Sequence, residues 1–497
     1  MKRLILTFSV FLSVSLISTS FVVAEETISI TDKSSGKSID VFIQKVEGGV
    51  VSVETTAGAS FDLPASRLTL DSIERIKAYL ASVPSTSATP AAAPAAPVEG
   101  GASLNELVGH GLFGSNGAIW QENAAEVAKR LDLKVESEKQ NSSSYRLYTK
   151  PEYQFLGAHP YCVTLYGGKG AKPESFSLVF ANKGDFGSRL GSGEDHFKIM
   201  HPDKEPPGDL NEAIEFDAEI IAERLTKGLG EAQEQYYGEK EDKRKVKRWD
   251  IGDHAFLLSS REDEYTSLLI VPTSNADAEG KVDFVVDSDF KKIQIKNVRT
   301  EENGDVWIDN IPMVNQGPKG YCAPATFERA MRYMLVPADM YLLATAATAP
   351  GGGTNTTKLS EDCKRIVRSK ARRIRELELH EDFDIKTVKG FIDTGVPVLW
   401  QMRSLGKYND VANERTKERE GVEDFTAWAS DIAAEAAEVA PQLKADANYH
   451  ICMVIGYNEA TNEVAVSDSW GPRYELRWVH LDIAKAVTSR GGFVIDF

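Results

Sequence analysis

Cys322 lies at the start of a predicted helix, in the stretch NQGPKGYCAPATFERAMRYM. Pro324 suits only the first turn of a helix, and the apolar residues after it recur at the three- and four-residue spacing of a buried helical face. The start of a helix presents unpaired N–H groups and the positive end of the helix dipole, and both stabilise a thiolate. Because the thiolate is the nucleophilic form of cysteine, this position predicts a residue that can attack a carbonyl carbon.

A thiolate nucleophile needs a base, and His380, His450 and His480 follow the cysteine. His380 lies in the acidic, loop-like segment ELELHEDFD, and His480 lies on a late strand. His450 begins the strand-like run HICMVIGYN, which turns through NEATNE and returns as VAVSDSWG. A loop of three to five residues would place His450 opposite Asp468 or Trp470, so that Asp468 and His450 share one face of the sheet. A carboxylate there can orient the imidazole and stabilise its charged form.

Gln316 completes the set of residues that could do chemistry. It lies six residues before Cys322, and the GPKG turn between them can fold its side chain back over the thiol. Its amide and the Cys322 backbone N–H could both donate to the oxyanion of a tetrahedral intermediate. The predicted reaction is acyl transfer: Cys322 attacks a carbonyl, His450 pairs with the thiolate and then protonates the leaving amine, and Asp468 orients His450.

Each of these residues taken alone has a simpler interpretation. Free cysteine is among the most buried residue types, a lone histidine is usually a satisfied core residue, and an aspartate at a strand end is usually a turn residue. The catalytic hypothesis therefore depends on the combination, with a helix at the cysteine and a hairpin at the histidine.

The stretches NQGPKGYCAPAT, NYHICMVIGY and VSDSWG resemble a papain-like cysteine peptidase, and within that clan the double-glycine-peptidase-like branch found in bacteria. The resemblance covers roughly residues 305–497 and matches the family order Gln, Cys, His, Asp with Gln316, Cys322, His450 and Asp468. It implies a papain-like α+β fold, in which a helical half with the cysteine packs on a β half with the histidine.

The chain departs from typical papain-type enzymes in three ways. Ala323 and Pro324 follow the cysteine where those enzymes have an aromatic residue. Asp468 stands where they have an asparagine, as is usual in the double-glycine-like branch. Residues 403–447 form a charged, helical insertion directly before the histidine, which could shape or cover the cleft.

The resemblance implies hydrolysis of peptide or isopeptide bonds through a Cys-His-Asp triad and an acyl-thioenzyme. Two alternatives stay open: a catalytically inactive papain-like domain that only binds a peptide, and a cell-wall amidase or acyltransferase with the same residues. The predicted partner is a peptide or protein substrate. No cofactor and no metal is expected.

The first 24 residues have the pattern of a secretory signal peptide. Lys2 and Arg3 precede an apolar stretch, and Val-Val-Ala stands before Glu25. An uncleaved membrane anchor is the alternative. No later segment reaches the about 18 apolar residues of a membrane span, so none is expected after cleavage, and the predicted location is secreted or periplasmic.

The remaining sequence predicts a multidomain α+β chain. Residues 25–83 combine four or five short strands with a closing helix and resemble a Sla-type homology domain 1, a small SH3-like β-barrel that implies a binding or spacer role. Residues 84–103 are a Pro/Ala-rich linker. Residues 104–293 are an α+β domain of unknown role with a possible internal duplication, because a helix followed by three strands occurs twice. Within the papain-like region, residues 363–377 are predicted as one amphipathic helix.

Charge and cysteine content exclude some classes of protein. The net charge of −17 argues against nucleic-acid binding, since phosphates are neutralised by an excess of Lys and Arg. The four cysteines form no CxxC pair, and Cys162, Cys363 and Cys452 are expected to be free buried thiols, with a Cys363–Cys452 disulfide as the alternative. The oligomeric state is not determined by the sequence.

Overall fold

In the computed structural model the chain divides into two units, Met1–Pro90 and Ala91–Phe497. The described residues are 27–33, 35–47, 50–55, 60–64, 67–69, 71–73, 75–76, 100–115, 117–187, 195–239, 243–281, 285–317, 320–347, 354–379, 383–404, 406–443 and 449–497. The predicted signal peptide, most of the predicted linker and His380 lie outside them. Among the described residues, no helix is long and apolar enough to cross a bilayer.

The first unit contains an antiparallel meander followed by a short helical segment. Its strands are β1 (Ile28–Thr31), β2 (Ser38–Glu47), β3 (Val50–Thr55) and β4 (Ser60–Pro64), paired in that order. Residues 71–73 and 75–76 are helical, in line with the predicted closing helix. Alternate residues along the strands, such as Val51 and Val53, are buried, as expected for a sheet with one face on a core. The strands are confirmed, whereas the SH3-like barrel stays a prediction.

The first part of the second unit joins a few helices to long antiparallel strands. Its helices are α1 (Gly100–Val108), α2 (Ala124–Arg130), α3 (Asp195–Met200) and α4 (Leu210–Leu229). Its strands are β5 (Lys134–Lys139), β6 (Ser142–Tyr148), β7 (Cys162–Gly167), β8 (Pro173–Asn182), β9 (Gln233–Tyr237), β10 (Arg244–Ile251), β11 (His254–Arg261) and β12 (Tyr265–Pro272). Helix α1 begins within the last residues of the predicted linker.

In the described part of the chain, these eight strands form one sheet in the order β5-β6-β7-β8-β12-β11-β10-β9. The sheet, called the middle sheet below, consists of two four-strand meanders that meet at their last strands, β8 and β12. Helix α2 precedes the first meander and packs on it, and α4 precedes the second and packs on β10, β11 and β12. The order of a helix and four strands thus occurs twice, which is the arrangement that an internal duplication would produce.

The C-terminal part combines helices with a second mixed-length antiparallel sheet. Before it, helix α5 (Thr273–Asp277) packs on β11 and β12 of the middle sheet. The helices of the C-terminal part are α6 (Asp287–Asn297), α7 (Cys322–Tyr333), α8 (Met340–Ala347), α9 (Thr356–Ser369), α10 (Ile385–Ile392), α11 (Gly406–Arg419), α12 (Phe425–Val439) and α13 (Leu481–Val487). Its strands are β13 (Val298–Thr300), β14 (Asp305–Ile308), β15 (Arg373–Leu377), β16 (Val398–Arg403), β17 (Tyr449–Asn458), β18 (Glu463–Ser467), β19 (Arg477–His480) and β20 (Thr488–Asp496). They pair in the order β13-β14-β17-β16-β20-β15, and β18 and β19 continue from β17.

The single helix predicted over residues 363–377 is wrong in its second half. Helix α9 ends at Ser369, and the chain turns at Ala371, which has a positive φ of 55°. Residues 373–377 then form β15, which pairs with β20 through contacts such as Ile374↔Ile495. The helical spacing of the apolar residues is real, but pairing with the last strand of the chain prevails over it.

The predicted insertion, residues 403–447, is helical over α11 and α12. Helix α11 packs on β19, and its last residue, Arg419, lies buried between two carboxylates. Arg419 Nη1 and Nη2 donate to Asp305 at 2.6 and 2.5 Å, and its Nε donates to Glu463 at 3.0 Å. The insertion is therefore joined to β14 and β18 by a buried ion-pair network.

Removal of the Arg419 guanidinium should destabilise the fold strongly. Arg419→Ala leaves Asp305 and Glu463 buried without their cation, which we expect to lower the free energy of unfolding by about 3–5 kcal/mol. Lys417→Ala, an exposed cation on the same helix, is the matched control and should stay within about 0.5 kcal/mol. Urea denaturation followed by circular dichroism measures both. Equal, small losses in the two variants would show that the network does not hold the insertion.

Candidate active site

Cys322 is the first residue of α7, as predicted, and it is half-buried while most of that helix is fully buried. The His450 side chain and the backbone N–H groups of Ala323 and Ile451 are near enough to the thiol to lower its pKa. Helix α7 is fastened to the histidine hairpin on the same side, because Thr326 Oγ1 donates to the Ile451 carbonyl at 3.1 Å. The thiol thus lies between the first turn of α7 and the start of the histidine strand.

His450 and Asp468 come together across the predicted hairpin. Strands β17 and β18 are joined by residues 459–462, with Asn458 opposite Glu463, so the loop has the predicted length. The register pairs Met453 with Ser467, which brings Asp468, the next residue, diagonally to His450. His450 Nε2 lies 2.6 Å from Asp468 Oδ1. Since Nε2 faces the carboxylate, Nδ1 is the ring nitrogen left to face the thiol.

Trp470 covers the His450 imidazole. The two rings stack with centroids 4.9 Å apart, at an angle of 28°. His450 is only 8% exposed. An indole over the ring restricts its rotation and excludes water from the pair with Asp468, so the histidine is held in one orientation.

Asp468 has a second partner that the sequence did not indicate. Arg477 on β19 donates from Nη2 to Asp468 Oδ2, and both side chains are 2% exposed. Nη1 of the same guanidinium donates to Asn409 at 3.2 Å and to Asn413 at 3.1 Å, both on α11. The helical insertion therefore supports the aspartate through Arg477. Neither the spacing nor the composition of RYELRW singles out this arginine.

Gln316 lies close to the same residues through its backbone. Its N–H donates to the carbonyl of Ser469 at 2.8 Å. Ser469 is the residue between Asp468 and Trp470. Gly317 follows with a positive φ of 68°, a conformation that favours glycine. Pro318 and Lys319, in the middle of the GPKG turn, lie outside the described residues.

The site favours a charged thiolate and imidazolium. Burial raises the pKa of Cys322, but the hydrogen bond and charge of His450 outweigh it, and the net pKa lies below that of a free thiol. Burial lowers the pKa of His450, yet hydrogen bonds to Asp468 and Cys322 raise it to about 9. For Asp468, burial is outweighed by His450 and Arg477, which lower its pKa. Each charge is thus stabilised by its neighbour.

The other predicted candidates do not reach this site. Cys162, Cys363 and Cys452 are free and buried, as predicted, and burial raises the pKa of each thiol. His480 instead caps α13, where its Nδ1 accepts from the Asp482 N–H at 3.3 Å. In the described segments, no group of three or more His, Cys, Asp or Glu residues is arranged to hold a metal ion.

Residues 308–486 match the profile of the Peptidase_C39 like family. A search of curated proteins found no significant relative. The matched segment contains Gln316, Cys322, His450 and Asp468. The match indicates a domain of the cysteine-peptidase type, and hydrolase activity is supported at the level of the family. The resemblance drawn from the C-terminal sequence is confirmed at this family level, and that of residues 25–83 stays a prediction.

The pH dependence of Cys322 alkylation should report its pairing with His450. We expect the iodoacetamide rate to rise with a midpoint below the ordinary thiol pKa of about 8.5, because the imidazolium stabilises the thiolate. A second inflection should fall near pH 9, where His450 loses its proton.

Variants of two histidines test this assignment. His450→Ala removes the cation and should move the midpoint to or above the free-thiol value. His480→Ala, a buried histidine that caps α13, should leave it unchanged. Mass spectrometry of the Cys322 peptide gives the rates, and an unchanged midpoint in His450→Ala would contradict the ion pair.

Proposed function

We propose that the chain is an exported cysteine peptidase that hydrolyses peptide or isopeptide bonds through Cys322, His450 and Asp468. The observation that carries the proposal is that the thiol at a helix start and the imidazole shift each other's pKa, while the imidazole is hydrogen-bonded to a buried carboxylate. The family match of residues 308–486 supports the same reaction class.

Acylation would begin from the thiolate–imidazolium pair. The Cys322 sulfur forms a bond to the carbonyl carbon of the substrate, and the carbonyl π electrons move to oxygen. The Cys322 N–H and the Gln316 side-chain amide would donate to this oxyanion. His450 Nδ1 then gives its proton to the leaving nitrogen as the C–N bond breaks, which releases the amine and leaves a thioester.

Deacylation would return the site to its starting state. The His450 imidazole, now neutral, takes a proton from water while the water oxygen attacks the thioester carbon. The C–S bond breaks, the acid product leaves, and the thiolate again faces an imidazolium. Asp468 keeps Nε2–H bonded throughout and so favours the tautomer in which Nδ1 can exchange the proton. Arg477 holds that carboxylate in place from the opposite side.

An epoxysuccinyl inhibitor of papain-type enzymes tests the nucleophile. We expect it to label Cys322 in the mature protein, and to label neither Cys322→Ala nor His450→Ala, since the reaction requires the activated thiolate. Cys363, fully buried with a raised pKa, is the internal control and should stay unlabelled. Absence of preferential labelling at Cys322 at any pH between about 5 and 9 would contradict a catalytic thiol.

Turnover distinguishes the substrate class. Casein and peptidoglycan stem peptides are incubated separately with wild-type protein and Cys322→Ala, and the products are identified by mass spectrometry. Cleavage of casein by the wild type alone supports the proposed peptidase. Turnover of stem peptides only would replace it with a cell-wall amidase, and labelling of Cys322 without any turnover would replace it with a peptide-binding protein.

Export rests on the pattern of residues 1–24. We expect the protein isolated from the medium or periplasm of a producing cell to begin at Glu25, because Val-Val-Ala is a suitable cleavage site. N-terminal sequencing measures this directly. A mature protein that starts at Met1 and sediments with membranes would instead identify an uncleaved anchor.

A further inference from the structure

One face of the middle sheet packs on the loop before Gln316 and on helix α7. Alternate residues of a strand share a face, and Arg146 and Tyr148 on β6 both point towards the C-terminal part. Around them, apolar residues from both parts form one buried cluster: Cys162, Val179, Val314, Tyr321, Ala325, Met340, Tyr341 and Ala344. Two of these lie near Cys322: Tyr321 directly precedes it, and Ala325 is three residues after it on α7. The middle sheet and the C-terminal part are therefore in direct contact through this buried cluster.

Asn315, the residue before Gln316, is held by this face at both of its backbone groups. Its N–H donates to Glu136 Oε1 at 2.8 Å, and its carbonyl accepts from the Tyr148 hydroxyl. The next backbone group, the Gln316 N–H, donates to the Ser469 carbonyl. Three successive backbone groups are therefore hydrogen-bonded, two to the middle sheet and one to the C-terminal part. The backbone on both sides of the Gln316 peptide therefore has little freedom to move.

The Tyr148 ring also lies directly against the turn. A Cβ placed on Gly317 would come within 2.8 Å of that ring. Only glycine leaves room for this approach, and the positive φ at Gly317 favours glycine as well. The phenol and the turn are thus matched in shape as well as in hydrogen bonding.

Arg146 connects this loop to the helix of the nucleophile. Its Nε donates to Glu136 at 2.7 Å, the carboxylate that also accepts from Asn315. Its Nη2 lies 3.5 Å from both oxygens of Glu328, which is on α7, less than two turns after Cys322. One guanidinium therefore links the support of the Gln316 loop to the helix that carries the thiol.

The charged groups of this link are buried, and burial raises the pKa of Glu328 to about 7 in spite of Arg146 and Arg332. The side chains of Arg146 and Glu136 are 2% exposed and that of Glu328 is fully buried. Glu328 Oε2 also accepts from the Met340 N–H at 2.7 Å, and Oε1 accepts from the Tyr166 hydroxyl at 3.0 Å. Buried ion pairs contribute little net stability compared with apolar residues of the same volume, so fixed geometry is the better account of this one.

We propose that Tyr148 and the Arg146–Glu136 pair are positioning residues for the oxyanion hole. They set the distance between the Gln316 amide and the Cys322 N–H, the two donors of the reaction proposed above, on which this inference rests. The middle sheet is then an integral part of the active site, although none of its residues touches the reacting atoms.

The experiment compares two reactions of the same thiol. In acylation by p-nitrophenyl acetate, the sulfur bonds to the acetyl carbon, an oxyanion forms, and p-nitrophenolate leaves without needing a proton. In alkylation by iodoacetamide, the sulfur displaces iodide and no oxyanion forms. The ratio of the two rate constants at Cys322 therefore reports the oxyanion hole, independently of thiolate reactivity.

Tyr148→Phe removes only the hydroxyl that holds the Asn315 carbonyl. We expect it to lower the acylation rate about tenfold, less than the about 10²–10³ lost with an oxyanion donor itself, and to leave the alkylation rate within about twofold. Tyr145→Phe is the matched control on the same strand, because its hydroxyl donates to Glu138 at 2.9 Å, away from the loop. It should change neither rate.

Arg146→Lys gives a second, independent test. Lysine keeps the charge but cannot join Glu136 and Glu328 as the forked guanidinium does, so acylation should again fall more than alkylation. Melting temperatures are measured on all variants.

If Tyr148→Phe is acylated at the wild-type rate, or if its acylation and alkylation rates fall by the same factor, the positioning role is overturned while the proposed function stands. A wild-type Cys322 that is alkylated but never acylated, with Cys322→Ala as background, would overturn the proposed function and this inference together.

Discussion

The carboxylate of Asp468 is the group on which the arrangement of the site depends. It accepts from His450 on one side and from Arg477 on the other, and both contacts are buried. Through His450 it is linked to the thiol on α7, and through Arg477 to the helical insertion. A buried carboxylate without such partners would be costly, because its desolvation is not compensated. The strands and helices that supply the partners are therefore required to meet at this point.

The same principle explains why two sheets are joined at the candidate site. Glu136, Glu328 and Arg146 lose nearly all contact with water where the middle sheet meets α7, so each needs a partner supplied by another segment. The resulting geometry is rigid, and it includes the backbone on either side of Gln316. A domain predicted as separate and of unknown role thus contacts the loop and the helix that the proposed reaction requires.

Local sequence patterns predicted the elements that carry the proposed catalytic residues. The start of α7 at Cys322 followed from Pro324 and a helical apolar repeat, and the hairpin followed from two strand-like runs around a short polar turn. The same reasoning failed for residues 373–377, where a helical pattern became strand β15. That strand exists because β20, more than 100 residues later, offers an edge to pair with. Local propensity contains no information about such a partner.

The sequence by itself determined which residues form the candidate triad and on which elements they lie, because helix starts, strand alternation and turns depend on near neighbours. Only the tertiary structure decided what holds them. Arg477 reaches Asn409 across 68 residues, and Arg146 reaches Glu328 across 182. The partner of a buried charge is chosen by packing, since any arginine in the sequence could pair with any carboxylate until the fold brings two of them together out of water.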